Sequence, residues 1–189
     1  MNKENLIEEI NKGIIYSYLF FWGHQQKNIL TIDKSCLSQW FPSEFIIDNY
    51  IYPTAEHFMM AEKARLFHDN KILEKILVSK TPKEAKKLGR KVSKFEKKKW
   101  ENRAFEIVVK GNLEKFSQNK SLEKFLINTS PNILVEASPY DEIWGIGIME
   151  NDTKAKSPLT WKGKNSLGFA LMEVRDLLIN KKVISPKKQ

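Results

Sequence analysis

"YPTAEHFMMAEKARLF" (residues 52–67) is the stretch whose reading decides the fold. Thr54 suits the N-cap of a helix carrying Glu56 and Lys63. Glu56, Met60, Lys63 and Phe67 are spaced by four, three and four, so they project from one side of that helix. Burying the stripe takes a carboxylate and an amine inward together with Met and Phe. Ionised groups are costly to bury unless they are paired or put to use. Two ordinary readings stand beside a functional one: a structural Glu56–Lys63 pair, or a helix rotated so that both reach water. Paired charges perturb pKa values without being catalytic.

Outward from this helix, "FIIDNYIYP" (45–53) reads as a short hairpin turning at Asp48-Asn49. Residues 14–22 and 29–32 are rich in aromatic and β-branched residues and read as strands. Asp69 can cap a second helix, "NKILEKILVSK". In "TPKEAKKLGR", Thr81 and Glu84 make a capping box, Pro82 takes the first helical position, and Gly89 can close the helix. A long amphipathic segment through "WENRAFEIVVKGNLEKF" puts Trp100, Ala104, Ile107 and Val108 on one face. Residues 121–128 form another short helix, and "ILVEA" (133–137) a strand. The closing helix, "SLGFALMEVRDLLIN", presents Leu167, Leu171, Val174 and Leu178 at core spacing, with Asn165 near its cap. The pattern is α+β, a helix-rich single domain over residues 1–189, with strands too few for a doubly wound sheet.

Composition narrows the class. With 189 residues there is no room for a second core of ordinary size. Hydrophobic residues at 41% and charged residues at 29% fit a soluble globular protein rather than a disordered one. The apolar stretch 14–23 is too short to span a bilayer, and the acidic start lacks a signal-peptide core. A lone Cys36 excludes an internal disulfide and fits a reducing compartment. His24, His57 and His68 have no metal-ligand spacing, so no metal is expected. These features predict a cytoplasmic protein with no membrane partner. A net charge of +9 permits a polyanionic partner. The lysines concentrate in "KTPKEAKKLGRKVSKFEKKKW" (80–100) and a short basic C-terminal tail, "KKVISPKKQ" (181–189). Such a run is either a solvated helix face or attraction for phosphate-bearing substrates or nucleic acid, and it supplies no base-reading geometry.

Chemistry has its best opening in "EASPYDEIWGIGI" (136–148) and "TWKGKNSLG" (160–168). Trp144 and Trp161 lie there on glycine-bearing loops beside Asp141 and Asn165. They can form a stacking site for a flat base, or simply anchor the loops to the core. The G-x-G at 145–147 lacks the context of a dinucleotide fingerprint, and no G-x-S-x-G supports serine hydrolysis.

The motifs "FFWG" (20–23), "LSQWFPSEF" (37–45), "YPTAEHFMMAEKA" (52–64), "AKKLGRKV" (85–92), "KKWENR" (98–103), "LVEASPYDEIWGIG" (134–147) and "WKGKNSLGFALMEVR" (161–175) occur in this order. Together they resemble the NADAR, or YbiA-like, family of N-glycosidases over about residues 18–178. The resemblance implies a compact helix-rich α+β fold and cleavage of a C–N glycosidic bond. It implies as substrates phosphoribosylamino-pyrimidine intermediates of riboflavin synthesis, or ADP-ribosylated guanine bases that can belong to modified DNA or RNA. Where the family often has Asn-Phe after a serine, Ser38 is followed here by Gln39-Trp40, which keeps the aromatic character.

By this resemblance Glu56 and Lys63 lie in the pocket, with Asp141 as a second carboxylate. Phe21, Trp22, Ser38, Trp40, His57 and Asn165 are the implied substrate contacts, Arg90 and the nearby lysines the phosphate ligands, and Trp144 and Trp161 the stacking residues. No cofactor is implied. Cleaving a ribosylamine bond needs protonation of the leaving amine and stabilisation of charge at the anomeric carbon. Glu56 and Asp141 can divide that work around a water molecule. Alternatively, a neutral Lys63 attacks the opened sugar and forms a Schiff base. A different class of reading is a non-catalytic nucleotide or nucleic-acid binding module using the same lysines and aromatic loops. A purely structural protein is a third reading, and it leaves the polar helix stripe unexplained.

Overall fold

A computed structural model of the chain describes residues 1–28 and 30–184. The elements run α1 (Lys3–Asn11), β1 (Tyr18–Phe21), β2 (Phe45–Ile47), β3 (Tyr50–Tyr52), α2 (Ala55–Leu66), α3 (Asn70–Leu77), α4 (Pro82–Gly89), α5 (Lys97–Ser117), α6 (Lys120–Asn128), β4 (Ile133–Glu136) and α7 (Ser166–Ile184). Short 3-10 turns join some of them. Helix therefore dominates, and the strands make two separate two-stranded sheets. Contacts group the chain into two compact units, Gln39–Lys120 and the remainder on either side of it in sequence.

Within Gln39–Lys120, β2 and β3 pair antiparallel through Asp48 and Asn49, whose φ angles of 52° and 66° make the left-handed turn a tight hairpin needs. The outer edge of β2 is occupied by one side chain. Ile46 N donates to Gln118 Oε1 at 2.8 Å, and Gln118 Nε2 returns a bond to Ile46 O at 2.8 Å. Phe45, Tyr52 and Phe58 form the aromatic centre, with Tyr52 meeting Phe58 edge-on at 5.2 Å. Helix α2 packs on α3, α4 and α5 and has consecutive buried residues from Ala55 to Ala61. A helix covered on so many sides keeps no polar face over its first two turns, and only Glu62, Lys63, Arg65 and Leu66 near its end stay half-buried. Thr54, Asp69 and Thr81 cap their helices as expected, each side-chain oxygen accepting a backbone N–H. Gly89 plays a different part from the one expected. It is the last helical residue, followed by Arg90 in ordinary helical conformation, and a Cβ there would collide with the Met60 side chain. Its role is close approach of α4 to α2.

In the other unit β1 and β4 pair in parallel, Tyr18 opposite Ile133 through Phe21 opposite Glu136. The strand expected over 14–22 is thus trimmed to the length of its partner. Of the strand expected over 29–32, Ile29 lies outside the described residues, and residues 30–32 form none, because Asn28 holds Leu30 and Thr31 in a turn. Asn28 Oδ1 accepts Leu30 N at 2.9 Å, and Asn28 O accepts Thr31 N at 3.2 Å. The last five residues of the basic tail also lie outside the described part. Helix α1 was not legible, although Asn2 and Asn5 close a reciprocal cap at its start and Leu6 is buried. Helix α7 buries Leu167, Leu171, Val174 and Leu178, as their spacing predicts, and packs on β4. Gly168 permits that packing, because a Cβ there would strike the Leu134 carbonyl oxygen and the Asn165 amide. Backbone cannot swing aside as a side chain can. Gly168→Ala should destabilise the protein by about 1–3 kcal/mol, the scale of overpacking. An unchanged urea midpoint would show that α7 tolerates more space here.

Among the described residues no helix is long and apolar enough to cross a membrane. No cluster of His, Cys, Asp and Glu among them could hold a metal ion.

Candidate active site

The first turn of α2 is fixed from three directions. Thr54 Oγ1 accepts the His57 backbone N–H, and its hydroxyl meets His57 Nδ1 at 2.8 Å. His57 Nε2 lies 3.2 Å from Ser79 O. A carbonyl can only accept, so Nε2 carries the proton and Nδ1 accepts from Thr54. Glu56 N donates to Gln39 O at 3.0 Å, while Gln39 Oε1 accepts from Asn112 Nδ2 at 2.8 Å. Glu56 is consequently held by its backbone, with its side chain buried in the helix's first turn.

Two turns on, Lys63 is half-buried with its ammonium over aromatic faces. Nζ lies 4.1 Å from the Phe95 ring centre and 5.5 Å from that of Trp100. Phe67 packs on Phe95 at 5.3 Å. Among the described residues no carboxylate comes within 4.0 Å of this amine. Burial first, and the Arg90 charge second, hold Lys63 below the ordinary lysine range. Both ordinary readings of the stripe fail. Glu56 is buried rather than turned to water, and Glu56 and Lys63 do not form an ion pair.

Several expected contacts are corrected by burial. His57 is enclosed, with both ring nitrogens engaged, and acts as a cap-and-bridge between α2 and Ser79. Phe21 is a core residue of β1. Trp161 is buried, and its Nε1 donates to Ala155 O at 2.7 Å, making it a loop anchor rather than a stacking surface. Asn165 is fully buried, its Nδ2 bonded to Leu134 O at 2.8 Å and its Oδ1 to Glu136 N at 2.9 Å. That amide ties the start of α7 to β4, with both polar atoms engaged in the backbone and the side chain closed off from solvent.

Burial also lowers the His57 pKa below the free value. A group depressed in the folded state binds its proton more readily when unfolded, so acid favours unfolding. The His57 contribution should be complete above about pH 6.5 and lost as pH falls through the lower folded value. Melting temperature should drop between pH 7 and pH 5 more steeply in the wild type than in His57→Gln. Equal slopes would reject the assignment.

The remaining expected residues keep exposed or half-exposed surfaces. Arg90 is exposed at the end of α4. Trp40 is half-buried, with Lys86 Nζ 5.8 Å from its ring. Ser38 ends a 3-10 turn in extended conformation. Asp141 Oδ1 accepts from Ile143 N at 2.9 Å and Trp144 N at 2.8 Å, so this carboxylate first of all shapes its own loop. Trp144 is half-buried and backbone-bonded to Leu167. Trp22 is 49% exposed and faces Tyr140, with ring centres 6.2 Å apart. A cavity of about 420 Å³ adjoins Trp22, lined also by Ala137, Met149, Glu150 and Asn151. A second, of about 310 Å³, shares Met149 and Asn151 and adds Lys154 and Lys162.

Sequence reading missed Phe95 and Tyr140, and gave Trp100 to the core alone. The available signal was isolation: Phe95 is a single aromatic residue among lysines in "SKFEKKK", where a core residue has little reason to be.

Residues 20–179 match the NADAR domain family. The chain is 40% identical over 166 residues to "N-glycosidase R617" of Acanthamoeba polyphaga mimivirus, covering 84% of this chain and 95% of that protein. It is 36% identical over 132 residues to "N-glycosidase YbiA" of Escherichia coli strain K12, covering 70% and 74%. The NMR structure of the E. coli protein YbiA superposes with a TM-score of 0.74 at 28% identity, covering 93% of this chain and 94% of that one.

Proposed function

Since the chain belongs to the NADAR domain family, we propose that it is an N-glycosidase, hydrolysing the bond between a ribose C1 and an amino group of a nucleobase or pyrimidine. It is a hydrolase of N-glycosyl bonds, as its relatives' names describe them. The observation that carries the mechanism is Lys63: an amine with its pKa lowered by burial, on the same helix as the buried carboxylate of Glu56.

A ribosylamine whose ring has opened is an imine at C1. The neutral Lys63 amine attacks C1 and forms a new C–N bond. Through an aminal at C1 the attacking nitrogen gives up its two protons in turn, Glu56 carries each to the departing nitrogen, and the original C–N bond breaks as that nitrogen leaves as an amine. The sugar is left as a Schiff base on Lys63. Water adds to that imine, releasing the sugar and restoring the amine. Asp141 is the second carboxylate of the proposal, and in direct attack by water it shares acid and base work with Glu56. Arg90 takes a substrate phosphate, for which its planar guanidinium is suited, and Trp144 and Trp22 offer ring faces to the base.

The resemblance favours two substrates: ADP-ribose linked to guanine, free or in DNA or RNA, and phosphoribosylamino-pyrimidine intermediates of riboflavin synthesis. Incubating the purified protein with each and identifying the released base by mass spectrometry tests the proposal. Release of free guanine or free aminopyrimidine is expected. A folded protein that releases neither would overturn it.

A further inference from the structure

Among the described residues no carboxylate lies within 4.0 Å of the Lys63 amine, yet the chain builds a particular place for it. The segment between α4 and α5 is first pinned and then turned. Asp69, the cap of α3, accepts Ile72 N through Oδ1 at 3.0 Å and Ser93 N through Oδ2 at 2.8 Å. Lys94 then takes a φ of 51°, a left-handed conformation uncommon for lysine. After that turn Phe95 packs on Phe67, ring centres 5.3 Å apart, and its own ring centre lies 4.1 Å from Lys63 Nζ. Trp100 stands further off, at 5.5 Å. Phe95 is 43% exposed, so it adds little to the core, and its place against the amine is what the turn secures.

From this geometry we infer that Phe95 is a further catalytic residue, whose ring face stabilises the Lys63 nitrogen whenever it carries positive charge during the reaction. This deepens the proposed function and rests on its use of Lys63 as the nucleophile. A cation is attracted to an aromatic face, whereas a neutral amine gains little from it. The nitrogen becomes cationic when it adds to C1, before its first proton leaves. It does so again as its lone pair closes the C=N bond and the base departs, until its remaining proton is passed on. A group that favours these states over the neutral amine lowers the barrier, because only differential stabilisation speeds the chemical step. The surrounding charges leave this work to the ring. Arg90, at the end of α4, opposes a cation here. On α2, Glu56 moves protons and Glu62 is bonded to Arg65. On α5, Glu101 pairs with Lys97, and Lys99 lies over the Phe67 ring at 5.5 Å. Lys94 and Glu96, on either side of Phe95, are exposed.

The resting ammonium touches the same ring, which gives the role a signature in pH. Phe95→Leu keeps an apolar cover over Phe67 and removes the π face. With the ammonium less favoured, the Lys63 inflection should fall by about half a unit to one unit below its wild-type position. Above the inflection, where the amine starts neutral, kcat should drop about 3- to 10-fold. Below it the starting and reacting states are both cationic, so the ring's effect cancels and the two rates should converge. Phe95→Tyr, which keeps the ring, should bring back the inflection and most of the lost rate. The inflection is read without turnover, from the pH dependence of Lys63 acetylation by acetic anhydride, followed by mass spectrometry of the peptide that carries it. A lowered inflection in Phe95→Leu with no turnover in either protein would support the ring's hold on the nitrogen while rejecting the N-glycosidase. An unchanged inflection in Phe95→Leu would overturn the proposal. So would a rate deficit equal at every pH, the mark of a ring that only packs, or a tyrosine variant that behaves as the leucine one.

Discussion

Lys63→Arg will leave a folded and inactive protein. Arginine keeps the positive charge, the approximate length and the aromatic contacts to Phe95 and Trp100, so an electrostatic role would survive the change. A nucleophilic role would not, because guanidinium stays protonated and forms no imine. Losing a covalent nucleophile should cost at least about 1,000-fold in turnover, leaving only what binding and positioning provide. In the wild type, borohydride added during turnover should trap a sugar on the "AEKAR" peptide. Rate should rise with pH as the amine loses its proton, with an inflection below the ordinary lysine value of 10.5. The rings and the shift act in opposite directions: an aromatic face attracts the ammonium, while burial and Arg90 disfavour it. An active arginine variant with no adduct would end the Schiff-base route and leave Glu56 and Asp141 activating water.

The second large effect belongs to Glu56. Glu56→Gln keeps the shape of the side chain and leaves the backbone bond to Gln39 O untouched, so the fold should persist. Proton transfer is removed. Turnover should fall at least ~100-fold, the usual scale for a general acid or base. If Lys63 attacks first, the variant should still accumulate some borohydride-trappable adduct when the leaving nitrogen is a good one, since Glu56 acts in the departure. Turnover and thermal melts on one preparation decide the matter. Near-normal activity in a protein with a normal melt would remove Glu56 from the chemistry.

Local rules made much of the architecture readable. Asp48-Asn49 can turn a hairpin, Thr81 with Pro82 can start a helix, and the Leu167–Leu178 spacing can only bury one stripe. Such features depend on residues a few positions apart. Gly89 was misread because its partner, Met60, is distant in sequence, and nothing local distinguishes a cap glycine from a packing glycine. Burial explains the corrections at the candidate site as well. Trp161 and Asn165 stand on loops that look open in sequence, yet Ala155, Leu134 and Glu136 consume their polar atoms. A polar side chain on a glycine-bearing loop can serve the loop or a ligand, and only its partners tell which. Lys63 was legible as an inward amine, whereas the ring beneath it was not, since Phe95 comes from a different segment.

The parallel pairing of β1 with β4 has a consequence for the order in which the chain acquires structure. Each residue of β1 meets a partner 115 positions later, Tyr18 with Ile133 and Phe21 with Glu136. A nascent chain emerging from the ribosome offers β1 nothing to pair with until that partner is made. Residues 39–120, by contrast, are contiguous and form one compact unit. Closing so long a loop also carries the slow entropic search that distant pairing imposes. The hairpin and α2–α5 should therefore gain protection from hydrogen exchange first in a refolding experiment, and the amides of β1 last.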